Sequence, residues 1–175
     1  MDTSNVAVMF AASAAVNANR PATRIRTGDT WQVQTYAELG DKVRRLAARL
    51  IDLGLEPGDR VALFSPNLPQ WILADLACLT AGLVVVPLYP TSTPDQVRHI
   101  VTDSGARLAF LAGESEWSRL APLRAELPEL ERVVVFNAVD DADVTTLDAE
   151  LEAAPSDQTA VDERLAAATG DDLAT

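Results

Sequence analysis

The hydrophobic pattern of the chain alternates between two spacings. Short continuous apolar runs, such as "RVALF" and "LVVVPL", predict buried strands, and between them apolar residues recur every three or four positions, as in amphipathic helices. Strand followed by helix, repeated, predicts an α/β fold with a mostly parallel sheet flanked by helices. The core strands are expected at Val61–Phe64, Val84–Leu88, Arg107–Leu111 and Val133–Phe136, with Leu63, Val85, Phe110 and Val135 buried. The run at 83–88 is uninterrupted, so both faces of that strand are expected to be covered.

Local signals predict where the helices begin and end. Thr35 with Glu38, and Thr93 with Gln96, match the capping box. Glycines that stop helices follow at Gly54, Gly82 and Gly105. The helices are expected at 4–19, 35–54, 65–82, 93–105, 115–130 with a break near Pro128, 146–153 and 156–168.

The N-terminal part differs from the rest because polar and apolar residues alternate around Gly28-Asp29, a pattern typical of a small hairpin. The chain therefore divides into an N-terminal helix (1–20), an α/β subdomain (21–137), and an acidic loop and helix (138–175). The last residues, Leu173 to Thr175, resemble the first step of another strand.

Charge is concentrated at one end. The net charge is −12, but from Asn137 onward eleven acidic residues stand against one arginine, Arg164. These acids are expected on solvated helix faces and loops. Arg44, Arg45 and Arg49 are expected to cover a solvated face as well. The body has no concentrated basic patch, so nucleic acid is not an expected partner.

Two features of the sequence bear on the cellular compartment of the protein. The segment Val6–Val16 has the length of a signal-peptide core but lacks a basic flank, so a helix is the preferred interpretation. The single cysteine, Cys78, lies in an apolar helix and cannot form an intrachain disulfide. A cytoplasmic location is expected, with a peripheral membrane contact left open.

Chemistry in α/β folds is usually carried by the loops after the strands, and here these loops offer little. They are Ser65–Asn67, Tyr89–Thr93, Ala112–Ser115 and Asn137. They contain no dinucleotide fingerprint, no phosphate-binding P-loop and no nucleophile elbow. His99 is the only histidine, and Asp75, Asp95 and Asp103 are expected to have capping or surface roles. No catalytic, cofactor-binding or metal-binding residue is therefore predicted in this chain.

Three segments in fixed order carry a resemblance. They are "TYAEL", which opens the long helix, "LIDLGLEPGDRVALFSPNLPQW", which begins where that helix ends, and "LACLTAGLVVVPLYPTSTPDQVRHIVTDSGARLAFL". Together they resemble the N-terminal portion of the large domain of adenylate-forming enzymes, most of all long-chain fatty acyl-CoA synthetases. "YPTST" favours the long-chain branch. The resemblance covers residues 20–175.

The resemblance implies an ATP-dependent ligase that makes an acyl-adenylate and then an acyl-CoA, with ATP, Mg²⁺ and coenzyme A as cofactors of the complete enzyme. In this family a segment like "DDLAT" leads into a Ser/Thr/Gly-rich phosphate loop with a lysine. This chain stops short of that loop and of the C-terminal catalytic lysine. It is therefore expected to need none of these cofactors alone and to be inactive.

Two other interpretations remain open. The chain could be a stand-alone, non-catalytic module that pairs with a separately encoded remainder of the ligase, or an unrelated flavodoxin-like binding domain. The expected partners are the remainder of the ligase, in the same or another polypeptide, and a second copy of the chain. Fatty acid is an expected substrate of the complete enzyme only.

Overall fold

The computed structural model describes residues 5–175, which form a five-stranded parallel sheet between two helix layers, preceded by an antiparallel hairpin. Along the chain the elements are α1 (Val6–Val16), β1 (Pro21–Thr27), β2 (Thr30–Thr35), α2 (Tyr36–Asp52), β3 (Arg60–Phe64), α3 (Pro69–Thr80), β4 (Val84–Leu88), α4 (Pro94–Ser104), β5 (Leu108–Leu111), α5 (Glu114–Leu120), a 3₁₀ turn (Ala121–Glu126), β6 (Arg132–Val135), β7 (Thr145–Thr146), α6 (Leu147–Glu152) and α7 (Thr159–Ala167). The sheet order is β4-β3-β5-β6-β7. The predicted α/β architecture with its small hairpin is confirmed.

Each face of the sheet carries its own core, because successive side chains of a strand point to opposite faces. On one face α2, α3, α6 and α7 pack over Leu63, Val85 and Phe110. On the other, α4, α5 and the 3₁₀ turn pack over Phe64 and Val135. The four side chains expected in the core, Leu63, Val85, Phe110 and Val135, are each at most 2% exposed.

The predicted helix caps are present. Thr35 accepts the Glu38 N–H, and the Glu38 carboxylate accepts the Thr35 N–H at 2.8 Å. Thr93 and Gln96 make the same reciprocal pair at the start of α4. Gly105 follows α4 with φ of 60°, the left-handed conformation that glycine adopts readily. These caps are encoded within four residues, which is why the sequence pattern finds them.

Several element boundaries differ from the expectation. The first helix is Val6–Val16, and its expected start at residue 4 lies outside the described residues. The α-helix after β5 ends at Leu120, well before Pro128, because Pro122 has no N–H to continue the helical hydrogen bonds. The two-residue strand β7 was not predicted. It pairs in parallel with β6 at the outer edge of the sheet.

The expectation that β4 is covered on both faces was wrong at Val86 and Pro87, although Leu88 beyond them is buried. Val84 and Val85 are buried, but Val86 is half-buried and Pro87 is exposed. The reason is that β4 lies at the edge of the sheet. A proline, which lacks the N–H that a central strand would need, fits such an edge.

The arginines of α2 do not cover a solvated face as expected; each of the three bonds to the acidic end of the chain. The pairs are Arg44 Nε with Gln158 Oε1 at 2.8 Å, Arg45 Nη2 with the Leu151 carbonyl at 2.6 Å, and Arg49 Nε with Glu150 Oε2 at 2.8 Å. The acidic end is therefore fastened to the helix layer of α2 and α3 rather than projecting into solvent.

Ten of the eleven acidic residues from Asn137 onward are exposed as expected, and Glu150 is the exception. Its side chain is 4% exposed and accepts hydrogen bonds from Arg49, Arg132 and Thr145. Burial alone would raise its pKa, but the Thr145 and Arg49 hydrogen bonds and the charges of both arginines lower the pKa of Glu150 overall. One carboxylate thus joins α6 to α2, β6 and β7.

Replacing this carboxylate by an amide, Glu150→Gln, is expected to lower the free energy of unfolding by about 2 kcal/mol at pH 7, since it removes the charge between two partly exposed arginines. A lowered pKa in the folded state stabilises above the unfolded pKa, near 4.3, and this stabilisation is lost as pH falls through the folded pKa. The difference between wild type and variant should therefore shrink below about pH 4. Urea unfolding across pH measures it, with exposed Glu152→Gln on the same helix as the control; equal losses in both variants would contradict the role of Glu150.

Candidate functional site

The carboxyl ends of the parallel strands meet along one edge of the sheet, where ligands bind in open α/β folds. Four loops leave the strands there: Ser65–Asn67 after β3, Tyr89–Thr93 after β4, Ala112–Gly113 after β5 and Asn137 just beyond β6. These are the loops that the sequence pattern singled out. This edge is therefore the candidate functional site.

Arg119 of α5 contacts several groups at this edge. Its Nη1 donates to the carbonyls of Pro90 (2.6 Å) and Ser92 (3.0 Å), which belong to the loop after β4. Its Nη2 donates to Glu116 Oε1 at 3.1 Å, and its guanidinium carbon lies 4.6 Å from the centroid of the Phe64 ring. A cation over an aromatic face is attracted by the ring quadrupole. The guanidinium thus joins three strand ends and holds the loop after β4 in place.

The loops after β5 and β6 are joined by two hydrogen bonds that Asn137 donates. The Asn137 side chain donates to the Ala112 carbonyl at 2.8 Å, and its backbone N–H donates to the same oxygen at 3.0 Å. A Cβ added at Gly113 would lie 3.3 Å from the Asn137 Cβ. Glycine at position 113 therefore permits this close approach of the two loops.

What this edge presents to solvent is neutral or acidic. Pro66, Asn67, Tyr89, Thr91 and Asn137 are exposed, and the exposed residues that begin α5 are Glu114 and Ser115. Tyr89 is the most open of the large side chains here, at 81% exposure. Ser65 is buried, and its hydroxyl donates to the neighbouring Pro66 carbonyl at 2.7 Å. The edge can offer a few neutral hydrogen-bonding groups, and its arginine is already engaged by carbonyls.

The other titratable residues considered from sequence are dispersed. His99 is exposed on α4, and Asp95 accepts from Arg98 at 2.9 Å. Asp75 is not a surface residue as expected: it is half-buried, and burial raises its pKa. Burial, with a smaller effect of the Asp75 charge, also raises the pKa of Cys78, so this thiol is a packing group. Asp103 is exposed.

Two properties of residues 5–175 bear on metals and membranes. Their His, Cys, Asp and Glu side chains form no group of three or more that could hold a metal ion. None of their helices combines the length and the apolar character needed to cross a membrane.

Arg119 is the residue of this edge that sequence reasoning missed. Glu116, three positions earlier, signals a helical ion pair. That signal is local, however, and the contacts that matter go to the loop after β4, at a separation of 29 residues from Pro90. Such contacts follow only from the strand order.

The architecture defines a three-layer α/β/α unit with a candidate site at the carboxyl edge of its parallel sheet. The chain belongs to the AMP-binding enzyme family, whose model matches residues 10–175. The expected relation to adenylate-forming enzymes is confirmed by this match.

Curated relatives are several times longer than this chain. The chain is 38% identical over 104 residues to long-chain-fatty-acid–CoA ligase FadD15 of Mycobacterium bovis, covering 59% of the chain and 17% of the ligase. It is 46% identical over 102 residues to a 3-[(3aS,4S,7aS)-7a-methyl-1,5-dioxo-octahydro-1H-inden-4-yl]propanoyl:CoA ligase of Mycobacterium tuberculosis, covering 57% and 20%. The chain thus spans about a fifth or less of these relatives.

Solved structures of similar fold include an acetoacetyl-CoA synthetase from Streptomyces lividans, with a TM-score of 0.77 at 26% identity over 87% of this chain and 25% of that one. The anthranilate CoA ligase AuaEII, solved with anthranoyl-AMP, has a TM-score of 0.77 at 20% identity over 86% and 28%. At that identity the second likeness establishes the fold alone.

Proposed function

We propose that this chain is the N-terminal part of an ATP-dependent fatty acid–CoA ligase and is not catalytic alone. The observation that carries the proposal is the family match over residues 10–175, together with a fatty-acid–CoA ligase relative of which the chain spans only 17%. In the complete enzyme a fatty acid carboxylate would attack the α-phosphate of ATP, releasing pyrophosphate. The thiol of coenzyme A would then attack the acyl carbonyl and release AMP.

The chemistry of the carboxyl edge supports the second half of the proposal. Both steps develop negative charge on phosphate or carbonyl oxygens, and enzymes stabilise such charge with fixed donors or cations. Here the Arg119 guanidinium is bonded to Pro90, Ser92 and Glu116. The exposed groups around it are neutral or acidic. We therefore assign the binding of ATP, Mg²⁺ and coenzyme A to the complete enzyme. In that enzyme this chain would contribute one sheet as a structural part.

The test compares the 175-residue chain with the complete gene product. The complete product is expected to catalyse fatty-acid-dependent exchange of pyrophosphate into ATP, and the 175-residue chain is expected to show none. By calorimetry the chain alone should bind ATP with Kd weaker than about 1 mM. Cooperative unfolding of the same preparation shows that it is folded. Micromolar binding would contradict the proposal and direct attention to the loops after β3 and β4. A complete product inactive with all fatty acids would reject the substrate class.

A second candidate function is a stand-alone module that pairs with a separately encoded remainder of the ligase. Both candidates would account for the apolar side chains that this chain leaves exposed. Apolar side chains are exposed on α1 and on the hairpin: Val6 at 46%, Met9 at 41%, Val16 at 73%, Trp31 at 62% and Val33 at 49%. Large apolar side chains left exposed in this way can be covered by a partner. The reading frame beyond codon 175 separates the two candidates, since only the first requires one continuous polypeptide.

Either way, the isolated chain is expected to self-associate, most simply as a symmetric dimer, because this surface has no other cover in the isolated state. Sedimentation across a concentration series measures the association. Val16→Lys, which places a cation at the C-terminal end of α1 where the helix dipole favours it, should weaken association without destabilising the fold. Glu152→Gln, on an exposed face of α6, is the control. A strict monomer at high concentration would contradict the prediction.

A further inference from the structure

The outer face of the hairpin combines cations with apolar side chains. The register of β1 and β2 pairs Arg24 with Val33 and Arg26 with Trp31. Directly opposite residues of an antiparallel pair lie on the same face of the ribbon, and so do alternate residues of one strand. All four side chains are exposed, Trp31 at 62% and Val33 at 49%. These four residues, called the hairpin face below, therefore form one exposed surface on which arginine and apolar side chains lie side by side.

The other face of the hairpin turns toward the body of the chain. There the Thr23 hydroxyl donates to Gln34 Oε1 at 3.2 Å, and Ile25 is partly buried. These residues line a cleft together with Leu73 of α3 and Leu151 of α6. Because side chains alternate between the two faces along a strand, this arrangement leaves the hairpin face on the solvent side.

The cations of this surface have few partners within the chain. Arg20, just before β1, lines one cleft of about 510 Å³ together with Arg24. Arg20 donates to the Asn17 side chain at 3.2 Å, and within residues 5–175 the Arg24 side chain forms neither an ion pair nor a hydrogen bond. Arg26 lies 3.7 Å from the exposed carboxylate of Asp29, which is beyond hydrogen-bonding distance. The three guanidinium groups can therefore bind an external anion.

The sign of the charge here is opposite to that of the rest of the chain. Residues 5–36 contain three arginines and one acidic residue, whereas residues 37–175 contain eleven basic and twenty-four acidic residues. Exposed charges act over only about 8 to 10 Å at physiological ionic strength, so the local sign decides what this surface attracts. An anionic surface would attract the hairpin face and repel the acidic body, which fixes the orientation of the molecule.

The apolar side chains favour a lipid surface as the source of that negative charge. Helix α1 contains no charged residue, and Val16 near its end is 73% exposed. Tryptophan is favoured at the level of the lipid headgroups, and arginine can place its apolar stem among lipid chains while its guanidinium contacts a phosphate. A protein partner would need a matching pocket for each projecting anchor, whereas a fluid bilayer accommodates such side chains without one.

We propose that the hairpin face, together with Arg20, docks on the surface of a bilayer that contains anionic phospholipid. The three arginines contact lipid phosphates, while Trp31 and Val33 enter the boundary between the headgroups and the acyl chains. The contact uses no residue of the carboxyl edge of the sheet. It goes beyond the proposed ligase function and does not depend on it.

Vesicle co-sedimentation and tryptophan fluorescence test this contact on the 175-residue chain. Vesicles of phosphatidylcholine mixed with phosphatidylglycerol are expected to bind the chain and to shift its emission to shorter wavelength. Vesicles of phosphatidylcholine alone should bind about tenfold more weakly or less, because they lack the negative surface charge. Trp31→Ala should abolish the shift, although Trp71 and Trp117 remain. Equal binding to both kinds of vesicle, or a shift that persists in Trp31→Ala, would overturn the proposal.

Paired arginine variants test the role of the cations. Arg24→Gln combined with Arg26→Gln should weaken binding to the anionic vesicles about thirtyfold, since each cation near such a surface strengthens binding about fivefold. Arg98→Gln is the matched control, because Arg98 is 47% exposed on α4 and lies outside the hairpin face. Urea unfolding of each variant confirms that it is folded. A double variant that binds as tightly as the Arg98 variant would contradict the proposal.

Two further measurements distinguish a bilayer from other occupants and from the ligase reaction. A folded chain that binds no anionic vesicle, but loses self-association in the double arginine variant, would assign the hairpin face to a second copy and reject the lipid contact. Tighter binding to soluble polyglutamate than to vesicles would assign it to an acidic protein and also reject it. Pyrophosphate exchange by the complete gene product is measured separately. Exchange without vesicle binding rejects only the lipid contact, and vesicle binding without exchange rejects only the ligase.

Discussion

Replacing Phe110 with alanine is expected to lower the free energy of unfolding by about 3 to 5 kcal/mol. The Phe110 ring is fully buried in the central strand β5, and its centroid lies 6.1 Å from that of Phe136 in a stacked arrangement. Truncation removes the transfer free energy of the ring and leaves a cavity between the sheet and the layer of α2 and α3. Since domains of this size unfold with about 5 to 15 kcal/mol, the variant should lose about a fifth or more of its stability.

Urea unfolding followed by circular dichroism measures this loss. Tyr89→Ala is the matched control, because it truncates an aromatic ring that follows the edge strand β4 of the same sheet but is 81% exposed. The control should change stability by less than about 0.5 kcal/mol. Similar losses for Phe110→Ala and Tyr89→Ala would contradict the placement of the core.

Replacing Arg119 with methionine is expected to cost about 3 kcal/mol. Methionine keeps part of the apolar contact with Phe64 but leaves the Glu116 carboxylate, 8% exposed, without its cationic partner. It also leaves the carbonyls of Pro90 and Ser92 without their donor. The variant should therefore have a more mobile loop after β4 and a lower free energy of unfolding.

A double-mutant cycle with Glu116→Gln measures the coupling between the two side chains. The double variant should recover part of the loss, because no buried charge is then left unpaired. Arg98→Met is the control, since Arg98 is 47% exposed and pairs with exposed Asp95 and Glu126. Exposed pairs contribute about 0 to 1 kcal/mol. An Arg119 variant no less stable than the Arg98 variant would show that Arg119 does not hold the edge together.

The parts of the fold that could be predicted are those encoded locally. Continuous apolar runs predicted β3, β5 and β6, because a strand between two helix layers is buried on both faces. Capping residues predicted the starts of α2 and α4, because the capping residue and its partner lie three positions apart in sequence. The three ordered segments, with "TYAEL" and "LTAGLVVVPLYPT" among them, were enough to recognise the family before any geometry was known.

The parts that could not be predicted depend on contacts distant in sequence. β7 consists of two threonines and has no apolar pattern, so only its pairing with β6 makes it a strand. Arg44 and Arg49 were expected in solvent because the helix pattern shows which face is polar, but not that α6 and α7 pack against it. At the candidate site, the loops were predicted from the strand ends. Arg119 was not, because its role follows from the order of the strands.

The buried thiol of Cys78 can report on local unfolding of the helix layer that covers it. Cys78 is 1% exposed within the core between α3 and the sheet, and it is the only cysteine in the sequence. A small disulfide reagent can reach it only when that helix layer separates, so its rate of modification under native conditions measures the opening equilibrium without any introduced probe. The modification rate can be compared between the isolated chain and the chain within a longer ligase polypeptide. The difference would show how strongly the additional residues suppress opening of the helix layer over Cys78.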